Sequence, residues 1–333
     1  MSDDTRYAYA VARIRGMETR LLTRQMVERL LGETPEGALS ALSDTSYQEP
    51  LTDVSRPEDI ESGLVAALTE TLSTVAALAP EPELTGVFRE RWDFRNLRAL
   101  LKASVLGIGA SGVGAVDGPG LLELAALEKA VQDKDYVQLP EHLTDAARRA
   151  EEAYRDSSEL SSIDRVIDDA MWRRSLSVAE ELRNEFVVGY LRAEIDLRNV
   201  RTFVRIKQAR GELDRLDRAL IDGGTLEPSF FKRLLQEPLG ELARALEYGR
   251  YATLAVVLRD WGPDPMPALE RACDNMLLRL TDGGSTTAYG VEPLVRYMLV
   301  RELETKLVRT VVTGKLDGID RSELESRLRD LHT

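Results

Sequence analysis

The chain has 333 residues, 43% hydrophobic and 30% charged but only 6% aromatic, and it is dominated by Leu, Ala, Glu and Arg, all good helix formers. Its formal net charge of −13, from 44 basic and 57 acidic side chains, argues against a general binder of nucleic-acid backbones, which needs concentrated positive charge. One cysteine, Cys273, excludes an internal disulfide, and two distant histidines, His142 and His332, leave no zinc-type ligand spacing.

In chain order, Tyr7 to Leu31 reads as one long helix with Val11, Ile14, Met17, Leu21 and Leu22 on a helical period, stopped by Gly32 and Pro35. Loops are expected around 48–50, 55–57 and 79–82, with Ser55 and Asp59 bracketing a helix start at Pro57, where the missing N–H of proline costs least. Helices are then expected over 58–78, 84–106, 141–156, 159–181, 183–211, 228–246, 249–260, 266–281 and 292–314. The longer breaks fall at 107–120, 222–229, 261–267 and 282–290. Strand-like alternation hardly occurs, so the expected class is all-α. The longest uncharged run, Ala103 to Val116, has 14 residues, short of the roughly 20 that a membrane helix needs.

One pattern recurs along these helices. Asp93-Phe94-Arg95-Asn96-Leu97-Arg98-Ala99-Leu100-Leu101-Lys102 is matched by Asp196-Leu197-Arg198-Asn199-Val200-Arg201-Thr202-Phe203-Val204-Arg205, and more loosely by Glu304-Thr305-Lys306-Leu307-Val308-Arg309. The acids lie 103 and 108 residues apart. A fainter echo precedes each: Ile60-Glu61, Ile163-Asp164 and Leu269-Glu270, at 33, 33 and 35 residues upstream. Asp117-Gly118 and Asp222-Gly223-Gly224 follow the first two acids. The expected organisation is therefore three similar helical units with pseudo-threefold symmetry, over 1–109, 110–213 and 214–333.

On a helix advancing 100° per residue, Arg95, Arg98 and Lys102 form one narrow stripe, repeated by Arg198, Arg201 and Arg205 and begun again by Lys306 and Arg309. Leu97, Leu100, Leu101 and Phe94 occupy the other side, and the acid of each copy falls inside that apolar sector. A carboxylate buried alone would cost several kcal/mol, so it must be paired, hydrated, protonated or near a helix end. Pairing with a base such as Arg13 or Arg15, contact with a partner and simple exposure all satisfy this. Asp93, Asp196 and Glu304 are read as interdomain clasps. The bases are either a solvated face or contacts for an acidic partner, with Arg95, Arg98, Lys102, Arg198, Arg201, Arg205 and Arg309 as the candidates.

Catalytic and cofactor constellations are absent. No Ser-His-Asp or Cys-His arrangement fits the two histidines. Gly107-Ile108-Gly109-Ala110-Ser111-Gly112 matches a dinucleotide pattern but follows a helix where a strand is required, and Gly314-Lys315 lacks the first glycine of a phosphate loop. Asp164, Asp168 and Asp169 resemble the aspartate spacing of an all-α magnesium enzyme, yet Asp168-Asp169-Ala170-Met171-Trp172 lacks the acid at the fifth place. No catalytic, metal or cofactor residue is assigned; the alternative reading is such an enzyme or an unrelated helical scaffold.

Four segments taken together resemble the C subunit of bacterial and archaeal V/A-type ATPases, the family that includes the d subunit of eukaryotic vacuolar ATPases. They are Tyr7-Ala8-Tyr9-Ala10-Val11-Ala12-Arg13-Ile14-Arg15 running to Glu18 and Leu21-Leu22, Trp92 to Lys102, Glu194 to Arg201, and Glu292-Pro293-Leu294-Val295-Arg296-Tyr297 leading through Glu304 to Gly314-Lys315-Leu316. Thr305 and Leu307 break the pattern in the third copy. The resemblance covers the whole chain and implies a funnel or socket of three helical domains. It also implies a non-catalytic place in the central stalk, between a shaft of the D and F subunits and the membrane proteolipid ring, on the cytoplasmic side of the cell membrane, transmitting torque for ion transport.

Overall fold

Why the chain is helical shows in where its apolar residues fall: every long run with apolar residues three and four apart becomes a helix, and no strand occurs among the described residues. The structure, a computed structural model, describes residues 5–43, 45–52, 54, 56, 59–109, 114–259 and 266–328. Ser55, Pro57, residues 110–112 of the glycine run, residues 261–265 and His332 lie outside them. After a 3-10 turn at Thr5–Tyr7, the first helices are α1 (Ala8–Glu18), α2 (Arg24–Gly32), α3 (Pro35–Leu42), α4 (Ile60–Leu78) and α5 (Pro82–Leu106). Next come α6 (Leu124–Asp133), α7 (Glu141–Ser157), α8 (Leu160–Glu181), α9 (Glu185–Gln208) and α10 (Leu213–Ala219). The remainder are α11 (Pro228–Leu234), α12 (Leu239–Ala245), α13 (Ala252–Arg259), α14 (Met266–Thr281), α15 (Gly283–Thr286), α16 (Glu292–Leu316) and α17 (Arg321–Arg327).

Two expected helices are each divided. The helix read over Tyr7 to Leu31 breaks between Glu18 and Arg24, because Thr23 caps α2 by accepting the Met26 N–H at 3.3 Å and the Leu22 N–H goes to the Glu304 carboxylate. The helix read over 228–246 parts into α11 and α12 at Pro238, which has no N–H to donate. Five short helices, α3, α6, α10, α15 and α17, were not expected from the sequence.

The chain forms two compact units, one from Met1–Thr85 with Gly262–Thr333 and the other from Gly86–Trp261. The first joins the two ends of the chain. Its core packs Leu30, Leu42 and Leu64 with Val308, Val311 and Val312 of α16, and Leu324 of α17 closes the cluster. The second unit buries Phe94, Trp172, Leu191, Val200 and Phe203. The Phe203 ring lies 5.8 Å from that of Phe231. The three copies of the repeat sit on α5, α9 and α16, long helices whose burial explains why they carry apolar residues on so wide a face.

Candidate functional site

The first acid, Asp93, is 1% exposed on α5, and its hydrogen-bond partners are backbone groups. The Leu121 N–H donates to both carboxylate oxygens, at 3.1 and 3.0 Å, and the Leu122 N–H donates to one at 3.1 Å. One turn on, Asn96 closes a two-way link: its amide donates to the Val116 carbonyl at 2.7 Å and its oxygen accepts the Val116 N–H at 3.0 Å. Arg89 donates to the carbonyls of Pro119 and Gly120. The loop after α5 is thereby tied back onto the helix that precedes it.

The second copy repeats this attachment on α9, with two hydroxyl donors added. Asp196 accepts the N–H groups of Thr225 at 3.1 Å and Leu226 at 2.8 Å, together with the hydroxyls of Thr225 and Tyr251. Asn199 donates to the Ile221 carbonyl at 2.8 Å and accepts its N–H at 2.9 Å. In both loops a glycine stands against the carboxylate: a Cβ on Gly120 or Gly224 would fall on the oxygen of Asp93 or Asp196. That close approach gives Gly120 and Gly224 their physical reason, while Gly118 and Gly223, directly after Asp117 and Asp222, take positive φ values of 125° and 97°.

The third copy keeps the acid and changes the partner. Glu304, 4% exposed on α16, accepts the Leu22 N–H from the segment between α1 and α2 and pairs with Arg301 at 2.6 Å. Leu307 stands where the first two copies have asparagine, so the two-way link is lost. Burial pushes the Glu304 carboxyl up, against the pull of Arg301 and the Leu22 amide. Burial likewise lifts Asp93 to about 6, more than the two loop amides lower it.

The bases of the stripe meet acids of the faint upstream echo. Arg98 pairs with Asp168 at 2.7 Å and Lys102 with Asp164 at 2.9 Å, while Arg309 holds Glu61 through two bonds of 2.7 and 2.8 Å. The Arg95 guanidinium lies 4.8 Å from the Trp92 ring centre, and that of Arg198 lies 5.1 Å from Trp172. Arg201 and Arg205 line an open cleft of about 1090 Å³ in the second unit, with Arg149, Arg165, Asp168 and Asp222 on its walls. Asp169, the last of the aspartate cluster, pairs with Arg173 at 2.6 Å. No group of three metal-ligating side chains suited to an ion occurs among the described residues. His142 sets Nε2 2.7 Å from Glu90, and Arg174 reaches the other oxygen. Burial raises the Glu90 carboxyl, but these two neighbours outweigh it and hold it below the usual carboxylate range.

Sequence reasoning singled out the acids, the bases and the Asp222-Gly223-Gly224 turn, but not Asn96, Asn199, Gly120 or Tyr251, which complete the loop attachments. The signal for the asparagines was available, since both stand three residues after the acid in their copies.

The family profile described as ATP synthase (C/AC39) subunit matches residues 10–327. The chain is 23% identical to the V-type sodium ATPase C subunit of Enterococcus hirae, over 96% of this chain and 97% of that protein. It is 26% identical to the A-type ATP synthase C subunit of Thermococcus kodakarensis, over 95% of this chain and 88% of that protein. With the A-type ATP synthase C subunit of Haloferax volcanii the identity is 31%, over 55% of this chain and 54% of that protein.

Proposed function

The chain belongs to the ATP synthase (C/AC39) subunit family, and on that premise we propose that it is a non-catalytic central-stalk subunit of a V/A-type rotary ATPase, coupling a shaft of the D and F subunits to the membrane proteolipid ring. The family match over residues 10–327 carries this reading. Torque transmission between two partners needs a body that does not yield, and the buried acids favour that role because they lock loops to the long helices instead of facing a substrate. No described helix is long and apolar enough to cross a membrane, which fits attachment from the cytoplasmic side. The recurrence of a buried acid on α5, α9 and α16 supports three units, over 1–109, 110–213 and 214–333, with the asparagine attachment shared by the first two copies. The remainder of the basic stripes, exposed at Arg95 and Arg205 and half-buried at Arg198 and Arg201, is the proposed contact surface.

The test is retention of a purified D–F heterodimer, and separately of a detergent-solubilised proteolipid ring, on the immobilised full chain at low salt. Retention of both is expected, together with an absence of ATP hydrolysis by the isolated chain. A chain that holds neither partner has some other role.

A further inference from the structure

The first unit contains a groove that the repeat does not explain. Its floor is α16, its walls are α1 and α4, and the segment around Ser46 to Pro50 closes one end, enclosing about 520 Å³. Two side chains at the floor are almost wholly buried, Tyr297 at 4% and Arg301 at 3% exposure. Arg301 spends one terminal nitrogen on Glu304 and Ser46, donates from Nε to the Thr71 hydroxyl at 3.5 Å, and stacks its guanidinium 4.6 Å from the Tyr47 ring centre. The Tyr297 hydroxyl has no hydrogen-bond partner among the described residues. Arg13 on α1 and Arg20 in the turn after it make no ion pair with any described residue, and across the groove neither do Glu49 and Glu70. Gly16 lies between the two arginines, and a Cβ there would meet nothing within 4 Å.

We propose that this groove is the docking site for a segment of another protein chain, which seats a carboxylate side chain over Tyr297 and Arg301. The Tyr297 hydroxyl, on a side chain only 4% exposed, offers the groove an unpartnered donor beside the Arg301 guanidinium, and a carboxylate is an acceptor that suits both. Glu304 already balances most of the Arg301 charge, so a singly charged carboxylate completes the floor better than a phosphate dianion would. The space exceeds what one small anion fills, and unpartnered charges of both signs at the rim suit a polypeptide carrying both signs. Gly16, exposed in the last turn of α1, relieves no crowding within the chain, which fits close approach of a partner backbone at that point. The proposal rests on the stalk reading in one respect: it takes the partner to be another subunit of the same complex.

The test is co-expression of the complex with tagged full-length variants of this chain, followed by measurement of the subunits retained. Gly16→Leu puts bulk into the groove where the fold has room. Arg13→Glu with Arg20→Glu reverses the wall, and Tyr297→Phe removes only the hydroxyl. Retention is expected to fall at least fivefold for Gly16→Leu and for the double reversal, and twofold or more for Tyr297→Phe, with helical circular dichroism and Tm unchanged. Folded variants that assemble as well as the native chain overturn the groove and leave the stalk reading standing. If the native chain itself retains no subunit, the stalk reading fails, and a fluorescent Glu/Lys-rich helical peptide tests the groove directly. Saturable binding lost in Gly16→Leu supports it. Absence of binding, or displacement by inorganic phosphate at micromolar concentration, overturns it.

Discussion

Asp93 shows how a single residue reports on its surroundings. Its neutral form is favoured in the folded state, since burial lifts its pKa to about 6 from an ordinary value of about 3.9. A raised carboxylate contributes stability that is complete below about pH 4 and lost as pH climbs through about 6, because the folded chain then binds the proton more tightly than the unfolded one. A pKa difference of about 2 between the folded and unfolded chain corresponds to about 3 kcal/mol. The difference in unfolding free energy between the native protein and Asp93→Asn is therefore expected to shrink by about that amount between pH 4 and 7, and carbon NMR of the carboxyl should show a midpoint near 6. A flat difference would mean that the loop amides cancel burial. Gly120→Ala attacks the same contact from the loop, since the new methyl takes the place of a carboxylate oxygen. Hydrogen bonds to charged groups contribute about 1.5–3 kcal/mol each, so a loss of about 2–4 kcal/mol is expected by denaturant titration, and the equivalent Gly224→Ala should behave alike.

At the scale of elements, the asparagine link is what makes a loop part of a helix. Asn199→Ala would leave the Ile221 N–H and carbonyl without partners, a change of about 2–4 kcal/mol at that loop, and hydrogen exchange at the Ile221 amide should accelerate while α9 amides stay protected. Exchange unchanged at Ile221 would show that other contacts hold the loop. The long helices were legible because α5, α8, α9, α14 and α16 repeat apolar residues over many turns. The break before α2 was not, because Thr19-Arg20-Leu21-Leu22 offers no breaker and the cause is Glu304, 282 residues away. The acids could be placed on the packing side by projection alone. Their partners could not, since Leu121, Leu122, Thr225 and Leu226 contribute backbone amides, which leave no mark in side-chain identity. The pairing of Arg309 with Glu61 was likewise hidden, though both residues belonged to recurring patterns.

At the scale of the whole molecule, the arrangement of the two compact units along the chain has a consequence for folding. The first needs both chain ends, because Val308, Val311 and Val312 of α16 supply the core against which Leu30, Leu42 and Leu64 pack. The second contains within residues 86–261 every bond described for Asp93, Asn96, Asp196 and Asn199. Leu-to-Ala changes at single buried sites already cost about 2–5 kcal/mol, so removal of all α16 core residues exceeds the roughly 5–15 kcal/mol that stabilises a typical domain. A chain ended after Gly290 should lose the first unit entirely and keep the second. Limited proteolysis with mass spectrometry is expected to clear residues 5–80 within the time that a fragment close to 86–259 survives, and that fragment should melt cooperatively on its own. Uniform degradation of the truncated chain would mean that the second unit depends on the first for its stability, and survival of the N-terminal helices would mean that α16 is not the core on which they fold.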